Sequence, residues 1–255
     1  MKDKSLSMKK SVYIITPVYN EEPNLKLLID GWRNIQNTWL EYEFQFILVD
    51  DGSSDQTSKL ALELTENINF KLISHNINKG PGYAFGSGFE YLSDFINDED
   101  IIVTIEGDNT SRLDTLKIMI ERILREDIDV AFASPLAYGG KVINTYWHRR
   151  LLGHISAALT KIILNIHGIH TFTSFFRVYK GKTIIHLQKK YGKRILEFDG
   201  FECMVEILKK LTIINASLTE VPMILDTSVR KGKSKLKIWK TALFYFVLFK
   251  RSGKW

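Results

Sequence analysis

The chain has 255 residues, of which 45% are hydrophobic and 25% are charged, and its formal net charge is +6. This composition suits one large globular domain, or a domain with a short appendage, and argues against disorder. The single cysteine, Cys203, excludes an intramolecular disulfide and a cysteine-based zinc site, so we expect a reducing, cytoplasmic compartment. Residues 1–10 contain no apolar core and are not typical of a signal peptide.

The positive charge is concentrated at the C-terminal end. Residues 230–255 hold nine Lys or Arg and no Asp or Glu, so the remainder has a formal charge of −3. The basic excess therefore does not indicate a nucleic-acid-binding protein, and we expect no nucleic-acid partner. The apolar block Ala242–Phe249 is too short to cross a bilayer, which needs roughly 20 residues. We expect a basic amphipathic helix that lies on a membrane surface; packing of this helix on the domain is the alternative.

Strand and helix patterns alternate along the first half of the chain. The predicted strands, which are rich in Ile, Val and Phe, are Val12–Thr16, Phe44–Val49, Phe70–Ser74, Ile101–Ile105 and Asp129–Ala133. The predicted helices are Pro23–Ile35, Asp55–Thr65, Pro81–Phe95, Arg112–Glu126 and a longer one from about Trp147 to Ile166. This order predicts an α/β fold with a mostly parallel, Rossmann-like sheet that is flanked by helices.

Polar clusters follow four of the predicted strands. They read "TPVYNEE" (residues 16–22), "DDGSSDQT" (50–57), "HNINKGPGYAFGSG" (75–88) and "EGDNT" (106–110). One such cluster is compatible with ordinary turn chemistry, because Asp, Gly and Ser are common in turns. Ligands of open parallel sheets gather at the carboxyl ends of the strands, so four clusters there predict a lined site.

The first three clusters suit a nucleotide. Tyr19 offers a flat face to a base, Glu21 offers an acceptor, and the pair Asp50 and Asp51 suits ribose hydroxyls or base N–H groups. Lys79 can meet a phosphate, and the glycines that start at Gly80 allow close approach of the backbone. The spacing matches neither a Walker A loop nor the dinucleotide fingerprint. Loop and helix-start chemistry, or helix packing for the glycines, remains the alternative for each cluster.

The fourth cluster predicts a metal site. Glu106 and Asp108 follow a strand end and are separated only by Gly107, so both carboxylates can face one hard cation. Mg²⁺ or Mn²⁺ prefers such oxygen ligands and commonly keeps substrate phosphates in its coordination shell. An acid-x-acid pair is common in turns by chance, and the position after a strand gives this pair its value.

The ordered set "PVYNEE", "VDDGSSDQT", "NINKGPGYAFGSG" and "EGDN" resembles the nucleotide-sugar domain of family 2 glycosyltransferases. Within that family the chain most closely resembles the dolichol-phosphate mannosyltransferase and polyprenyl-phosphate glycosyltransferase branch, from about Ser11 to Leu236. The resemblance implies a GT-A fold, a sugar-nucleotide donor, a divalent metal and inversion at the anomeric carbon. We expect an N-terminal tail at 1–10, a GT-A domain at 11–235 and a basic amphipathic, membrane-associating segment at 236–255.

Motif matching assigns roles to individual residues. The resemblance implies a metal site at Glu106 and Asp108, with Asp108 and Arg177 as catalytic residues. The nucleotide would be held by Pro17, Tyr19, Glu21, Asp50, Asp51, Lys79 and Gly80. The acceptor phosphate would be bound by Arg149, Arg150, Ser174, Arg177, Arg230, Ser234 and Lys235.

The acceptor is predicted from the second half of the chain. Family members that glycosylate hydroxyls usually present a Glu-Asp pair that includes a general base, but "EFDGFECMVEIL" at residues 197–208 lacks it. A phosphate monoester is already largely anionic at neutral pH, so it needs positive charge rather than a base. We therefore expect transfer to a polyprenyl phosphate at the cytoplasmic face of the membrane, by a peripheral enzyme.

Two alternatives remain open at this point. One is transfer to a hydroxyl of a saccharide or glycolipid in surface polysaccharide synthesis. The other is a non-catalytic nucleotide-sugar-binding homologue, because Glu106 stands where the family usually has Asp, and Phe175 stands where it usually has Gly.

Overall fold

The computed structural model describes residues 9–145, 158, 161 and 168–231. The strands are β1 (Lys10–Val18), β2 (Tyr42–Asp50), β3 (Phe70–Ser74), β4 (Ile101–Thr104), β5 (Val130–Ser134), β6 (Lys141–Ile143), β7 (Arg177–Lys180), β8 (Leu218–Pro222) and β9 (Ile224–Asp226). The helices are α1 (Glu22–Thr38), α2 (Thr57–Leu64), α3 (Pro81–Leu92), α4 (Leu113–Arg125), α5 (Gly181–Tyr191) and α6 (Cys203–Ile213).

The main sheet has seven strands in the order β3-β2-β1-β4-β7-β5-β8. All of its neighbouring pairs are parallel except those of β7, which runs antiparallel to both β4 and β5. A second, small sheet pairs β6 with β9. The predicted α/β fold with a mostly parallel sheet is thereby confirmed.

Hydrophobic clusters cover both faces of the sheet. Consecutive residues of β1 alternate between them, so that Ile14 joins one cluster and Ile15 joins the other. On the Ile14 side, Trp32 of α1 stacks on Phe46 of β2 with ring centroids 4.8 Å apart. On the Ile15 side, the cluster includes Phe89 of α3. Burial on both faces explains why these strands read as continuous apolar runs.

The predicted elements of the first half are present with shifted ends. Phe70–Ser74 has the predicted bounds, whereas β1 and β2 are each longer than predicted. The short strand β7 was not predicted, because its position between β4 and β5 depends on pairing with distant segments. The predicted helix from Trp147 to Ile166 falls almost wholly on undescribed residues. The predicted C-terminal helix and the boundary at residue 235 lie outside the described residues.

No helix in the described ranges combines the length and the apolar character that a crossing of the bilayer requires.

Candidate functional site

Two acidic loops meet at the end of β1. Because β1 lies between β2 and β4, the loops that follow these two strands emerge on either side of it. The backbone N–H of Asp51 donates to the Val18 carbonyl at 2.9 Å. On the other side, a Cβ placed on Gly107 would come within 2.6 Å of Val18 Cγ1, so this position requires glycine. The sheet thus brings the Asp51 loop and the loop of Glu106 and Asp108, which we call the acidic pair, together at Val18.

The loops after β1 and β2 are joined by hydrogen bonds. The Asn20 N–H donates to Ser53 Oγ at 2.8 Å, and Asn20 Oδ1 accepts the Ser54 N–H at 2.8 Å. The Glu21 N–H donates to Thr57 Oγ1 at 2.9 Å. Asn20 has a φ of +49°, in the left-handed region that Asn tolerates. These bonds fix the segment that carries the predicted nucleoside contacts Pro17, Tyr19 and Glu21.

The Asp51 carboxylate organises the next loop. It is 3% exposed and accepts three hydrogen bonds. The donors are His75 Nδ1 at 2.8 Å, the Lys79 N–H at 3.1 Å and the Gly80 N–H at 2.6 Å. His75 Nε2 lies 3.0 Å from Ser87 Oγ, so the histidine links Asp51 to α3. The predicted contact of Asp51 with a nucleoside stays a prediction, and the carboxylate has this additional structural role.

The Asp50 carboxylate, like that of Asp51, holds loop residues by hydrogen bonds. It accepts the Ser53 N–H at 2.9 Å and forms a short hydrogen bond with the Ser58 hydroxyl. Both carboxylates of the pair therefore shape the loops around the predicted nucleoside pocket.

Basic side chains gather at the start of α3. Lys79 Nζ and the Arg194 guanidinium carbon each lie 4.0 Å from the centroid of the Tyr83 ring. The hydrogen bond from Lys79, followed by the charge of Arg194, lowers the pKa of Tyr83. A Cβ on Gly80 (φ +112°) would lie 2.4 Å from the Asp199 carbonyl oxygen. The α3 start is thus positively charged and tightly packed against the 195–200 segment.

The acidic pair lies directly after β4. Glu106 Oε2 accepts the Ser111 hydroxyl at 2.5 Å, and Asp108 Oδ1 accepts the N–H and the hydroxyl of Thr110 at 3.1 and 2.6 Å. Burial, followed by the charge of Asp108, raises the pKa of Glu106. Arg230 forms an ion pair with Asp108 Oδ2. The two acids therefore form a site that favours a positively charged partner, which Arg230 supplies in this structure.

The donor set suits a hard divalent cation. Both acids supply carboxylate oxygens, and Thr110 and Ser111 orient them. Within the described parts of the chain, no three His, Cys, Asp or Glu side chains are grouped as metal ligands. A cation held here would therefore complete its shell with water and substrate phosphates, as Mg²⁺ commonly does.

The predicted acceptor residues are not all brought together. Arg177 is fully buried, and its guanidinium donates to the carbonyls of Ser174, Phe172 and Met204 at 2.8 to 2.9 Å. These bonds join the segment that precedes β7 to the first turn of α6. The predicted catalytic and acceptor-binding roles of Arg177 stay predictions. Ser174 Oγ accepts the Phe176 N–H at 3.2 Å. The predicted residues Arg149, Arg150, Ser234 and Lys235 lie outside the described residues.

Comparison with known proteins identifies the family. The model of glycosyl transferase family 2 matches residues 13–187, which is more than half of the chain. The chain belongs to this family. The family that the motifs predicted is thereby confirmed.

Curated relatives extend the match. Dolichol-phosphate mannosyltransferase of Pyrococcus furiosus is 29% identical over 245 residues, which are 96% of this chain and 64% of that protein. This chain thus spans just under two thirds of that relative's length. Polyprenol monophosphomannose synthase of Mycolicibacterium smegmatis is 24% identical over 88% of this chain and 80% of that protein.

Solved structures share the fold. Glucosyl-3-phosphoglycerate synthase from Mycobacterium tuberculosis, in complex with Mn²⁺ and uridine diphosphate, has a TM-score of 0.64 at 15% identity. That match covers 95% of this chain and 79% of the other. A mannosyltransferase from Pyrobaculum calidifontis, in complex with GDP-Man and Mn²⁺, has a TM-score of 0.61 at 14% identity, over 97% and 66%. At these identities the likeness shows the fold alone.

Sequence reasoning missed three residues that organise this site. His75 opens the third polar cluster, so its position at a strand end was a usable signal. Asn24 lies in the first turn of α1, and its contacts are with residues distant in the sequence, which no local pattern indicates. Arg194 follows α5, far along the chain from the Tyr83 that it covers, and no local pattern connects the two.

Replacing Asp51 with Asn should destabilise the protein. The amide offers one acceptor oxygen where the carboxylate offers two, so a part-buried N–H of the Lys79–Gly80 turn loses its partner, at a cost of about 1 kcal/mol. Urea denaturation measures the change in the free energy of unfolding. Asp98→Asn, an exposed carboxylate exchanged in the same way, is the control and should change nothing. Equal stability of Asp51→Asn and the wild type would contradict the role given to Asp51.

Proposed function

We propose that the protein is an inverting, metal-dependent glycosyltransferase that moves a sugar from a nucleoside diphosphate to a polyprenyl phosphate. The observation that carries this proposal is the meeting of the Glu106–Asp108 pair with the nucleotide-type loops at the end of β1, in a member of glycosyl transferase family 2. The names of two relatives, dolichol-phosphate mannosyltransferase and polyprenol monophosphomannose synthase, support this acceptor class.

The donor would be held by the loops after β1, β2 and β3. Pro17, Tyr19 and Glu21 lie on the segment that is fixed to the β2 loop, and Asp50 and Asp51 lie beside it. Lys79 and Gly80 follow at the start of α3, where positive charge suits a diphosphate. Glu106 and Asp108 would hold Mg²⁺ or Mn²⁺. When bound, this cation supplies positive charge that stabilises the departing diphosphate.

The reaction needs a nucleophile and a leaving group. An oxygen of the acceptor phosphate forms a bond to the anomeric carbon while the bond from that carbon to the diphosphate oxygen breaks. The electron pair leaves with the diphosphate, and attack from the opposite side inverts the anomeric centre. Because the phosphate is already anionic near neutral pH, no protein base is required.

One acid of the 197–208 segment, Glu206, has a structural role. Glu206 is fully buried and accepts the N–H groups of Glu197 and Phe198 at 2.8 and 3.0 Å. It also pairs with Lys210 at 2.6 Å, and its burial raises its pKa. Glu206 is therefore used to hold the loop that packs on α3. Glu206 is therefore not available as the general base that a hydroxyl acceptor requires.

Arg230 is the described cation best placed for a phosphate. It contacts Asp108, and its buried Nε has no hydrogen-bond partner among the described residues. A buried donor without a partner costs free energy unless a ligand supplies an acceptor. A phosphate oxygen is such an acceptor. Arg149, Arg150, Ser234 and Lys235 are proposed as further phosphate ligands from the sequence, whereas Arg177 is proposed to support the site through the backbone it holds.

Glu106→Gln and Asp108→Asn should each lower the rate of sugar transfer by about 100-fold or more, because each removes a charged ligand of the proposed cation. Initial rates at saturating Mn²⁺ measure the loss, and circular dichroism checks the fold. Asp114→Asn removes an exposed carboxylate of the same segment and should retain the wild-type rate. Wild-type rates in both acidic-pair variants would reject the metal assignment.

The acceptor class is tested by mass spectrometry of the products from a panel of sugar nucleotides with Mn²⁺. We expect a glycosylated lipid when a short-chain polyprenyl phosphate is supplied. Product with a saccharide acceptor alone would instead indicate transfer to a hydroxyl. Nucleotide binding without turnover on either acceptor would indicate a non-catalytic homologue.

We further propose that the protein is peripheral at the cytoplasmic face of the membrane, through residues 236–255. These residues combine basic side chains with an apolar block, which suits an anionic lipid surface. Deleting residues 237–255 should reduce co-sedimentation with vesicles that contain anionic lipid. Unchanged sedimentation of the truncated protein would reject this proposal.

A further inference from the structure

Asn24 binds the backbone at the end of the described chain. It lies in the first turn of α1 and is 2% exposed. Its Nδ2 donates to the Lys231 carbonyl at 3.1 Å, and its Oδ1 accepts the Lys231 N–H at 3.1 Å. The same Nδ2 group donates to Glu21 Oε2 at 2.5 Å. A carboxamide is suited to this task, because it carries donors and an acceptor side by side. We refer to the paired bonds between Asn24 and Lys231 as the amide clasp.

Asn24 also contacts the acidic loop. Its backbone carbonyl accepts Asn109 Nδ2 at 2.9 Å. Asn109 directly follows Asp108 and has a φ of +63°, so this loop has a defined, tight conformation. One buried residue therefore joins α1, the loop of the acidic pair and the backbone at Lys231.

The amide clasp fixes the residue next to it. Arg230 precedes Lys231, and its Nη2 forms an ion pair with Asp108 Oδ2. The Arg230 side chain is 31% exposed and that of Asp108 is 10% exposed, so solvent screens the contact only in part. The other carboxylate oxygen, Oδ1, is held by Thr110. The guanidinium thus covers the oxygen of Asp108 that is left for a cation.

We propose that Asn24 is a positioning residue whose amide clasp holds Arg230 against Asp108, so that Arg230 and the divalent cation are alternative partners of this carboxylate. The proposal rests on the metal site of the proposed function. Two cations repel each other when they share one partly buried carboxylate oxygen. Arg230 therefore neutralises Asp108 before the donor arrives, and it turns to a substrate phosphate when the cation takes its place.

Under this proposal, binding of the cation and the contact of Arg230 with Asp108 affect each other reciprocally. If Arg230 weakens cation binding by some factor, the cation must weaken the Arg230 contact by the same factor. An amide clasp that only stabilised the fold would show no such coupling, because its loss would not change the affinity for the cation. Cation affinity and release of the Arg230 region are therefore the quantities that separate positioning from structural support.

The first experiment measures Mn²⁺ binding to the full chain by electron paramagnetic resonance, without a donor. Asn24→Ala and Arg230→Gln should each bind Mn²⁺ about 5-fold more tightly than the wild type or more, which is a usual size for coupling between sites. Lys231→Gln removes a neighbouring charge but keeps the backbone that the clasp uses, so it should bind like the wild type. Glu106→Gln should lose Mn²⁺ binding, which assigns the signal to the acidic pair.

The second experiment measures tryptic cleavage of the bond between Arg230 and Lys231 by mass spectrometry. Mn²⁺ should speed this cleavage in the wild type, since it displaces the guanidinium. Asn24→Ala should be cleaved rapidly with or without Mn²⁺. This measurement keeps the proposal testable if Asn24→Ala proves too unstable for titration, because the dependence of cleavage on Mn²⁺ is measured in the wild type alone.

Three outcomes would overturn the proposal. Equal Mn²⁺ affinities in the wild type, Asn24→Ala and Arg230→Gln would overturn it and leave the proposed transferase unaffected. Weaker binding in Arg230→Gln would also overturn it, because Arg230 would then assist the cation. Absence of Mn²⁺ binding in every protein would overturn both this proposal and the metal assignment of the proposed function.

Discussion

The packing of Gly107 against Val18 is the constraint on which the site depends. Strand β1 lies between β2 and β4, and Val18 at its end receives the Asp51 N–H on one side and the Gly107 backbone on the other. A side chain at residue 107 would overlap Val18 Cγ1 and push the acidic loop away from β1. The glycine therefore does more than separate two carboxylates, since it allows the two acidic loops to meet.

Negative charge that is concentrated in this way has to be stabilised. Asp51 is stabilised by two backbone N–H groups and His75, whereas Asp108 is stabilised by Thr110 and by Arg230. Glu106 has a raised pKa because partial burial and the nearby charge of Asp108 disfavour its ionised form. The Asp51 carboxylate thus has its hydrogen-bond donors within the protein. In the Glu106–Asp108 pair, by contrast, a bound cation would reduce the repulsion between the two carboxylates.

The sequence predicted the parts of the fold that local patterns determine. Apolar runs identified β1 to β5, and the order of strands and helices predicted the parallel sheet that places Asp51 and Glu106 at neighbouring strand ends. Pairing between distant segments was not predictable in the same way. The antiparallel insertion of β7 buries Arg177, which had been expected at the acceptor, and the contact of Asn24 with Lys231 joins residues 207 positions apart.

The central claim is that Glu106 and Asp108 hold the cation of the activated sugar beside the loops of β1 and β2. Anomalous X-ray scattering from crystals grown with Mn²⁺ and either UDP or GDP tests it most directly. The account predicts a manganese peak within bonding distance of both carboxylates and of the diphosphate. A bound nucleotide whose manganese peak lies away from this pair would contradict it.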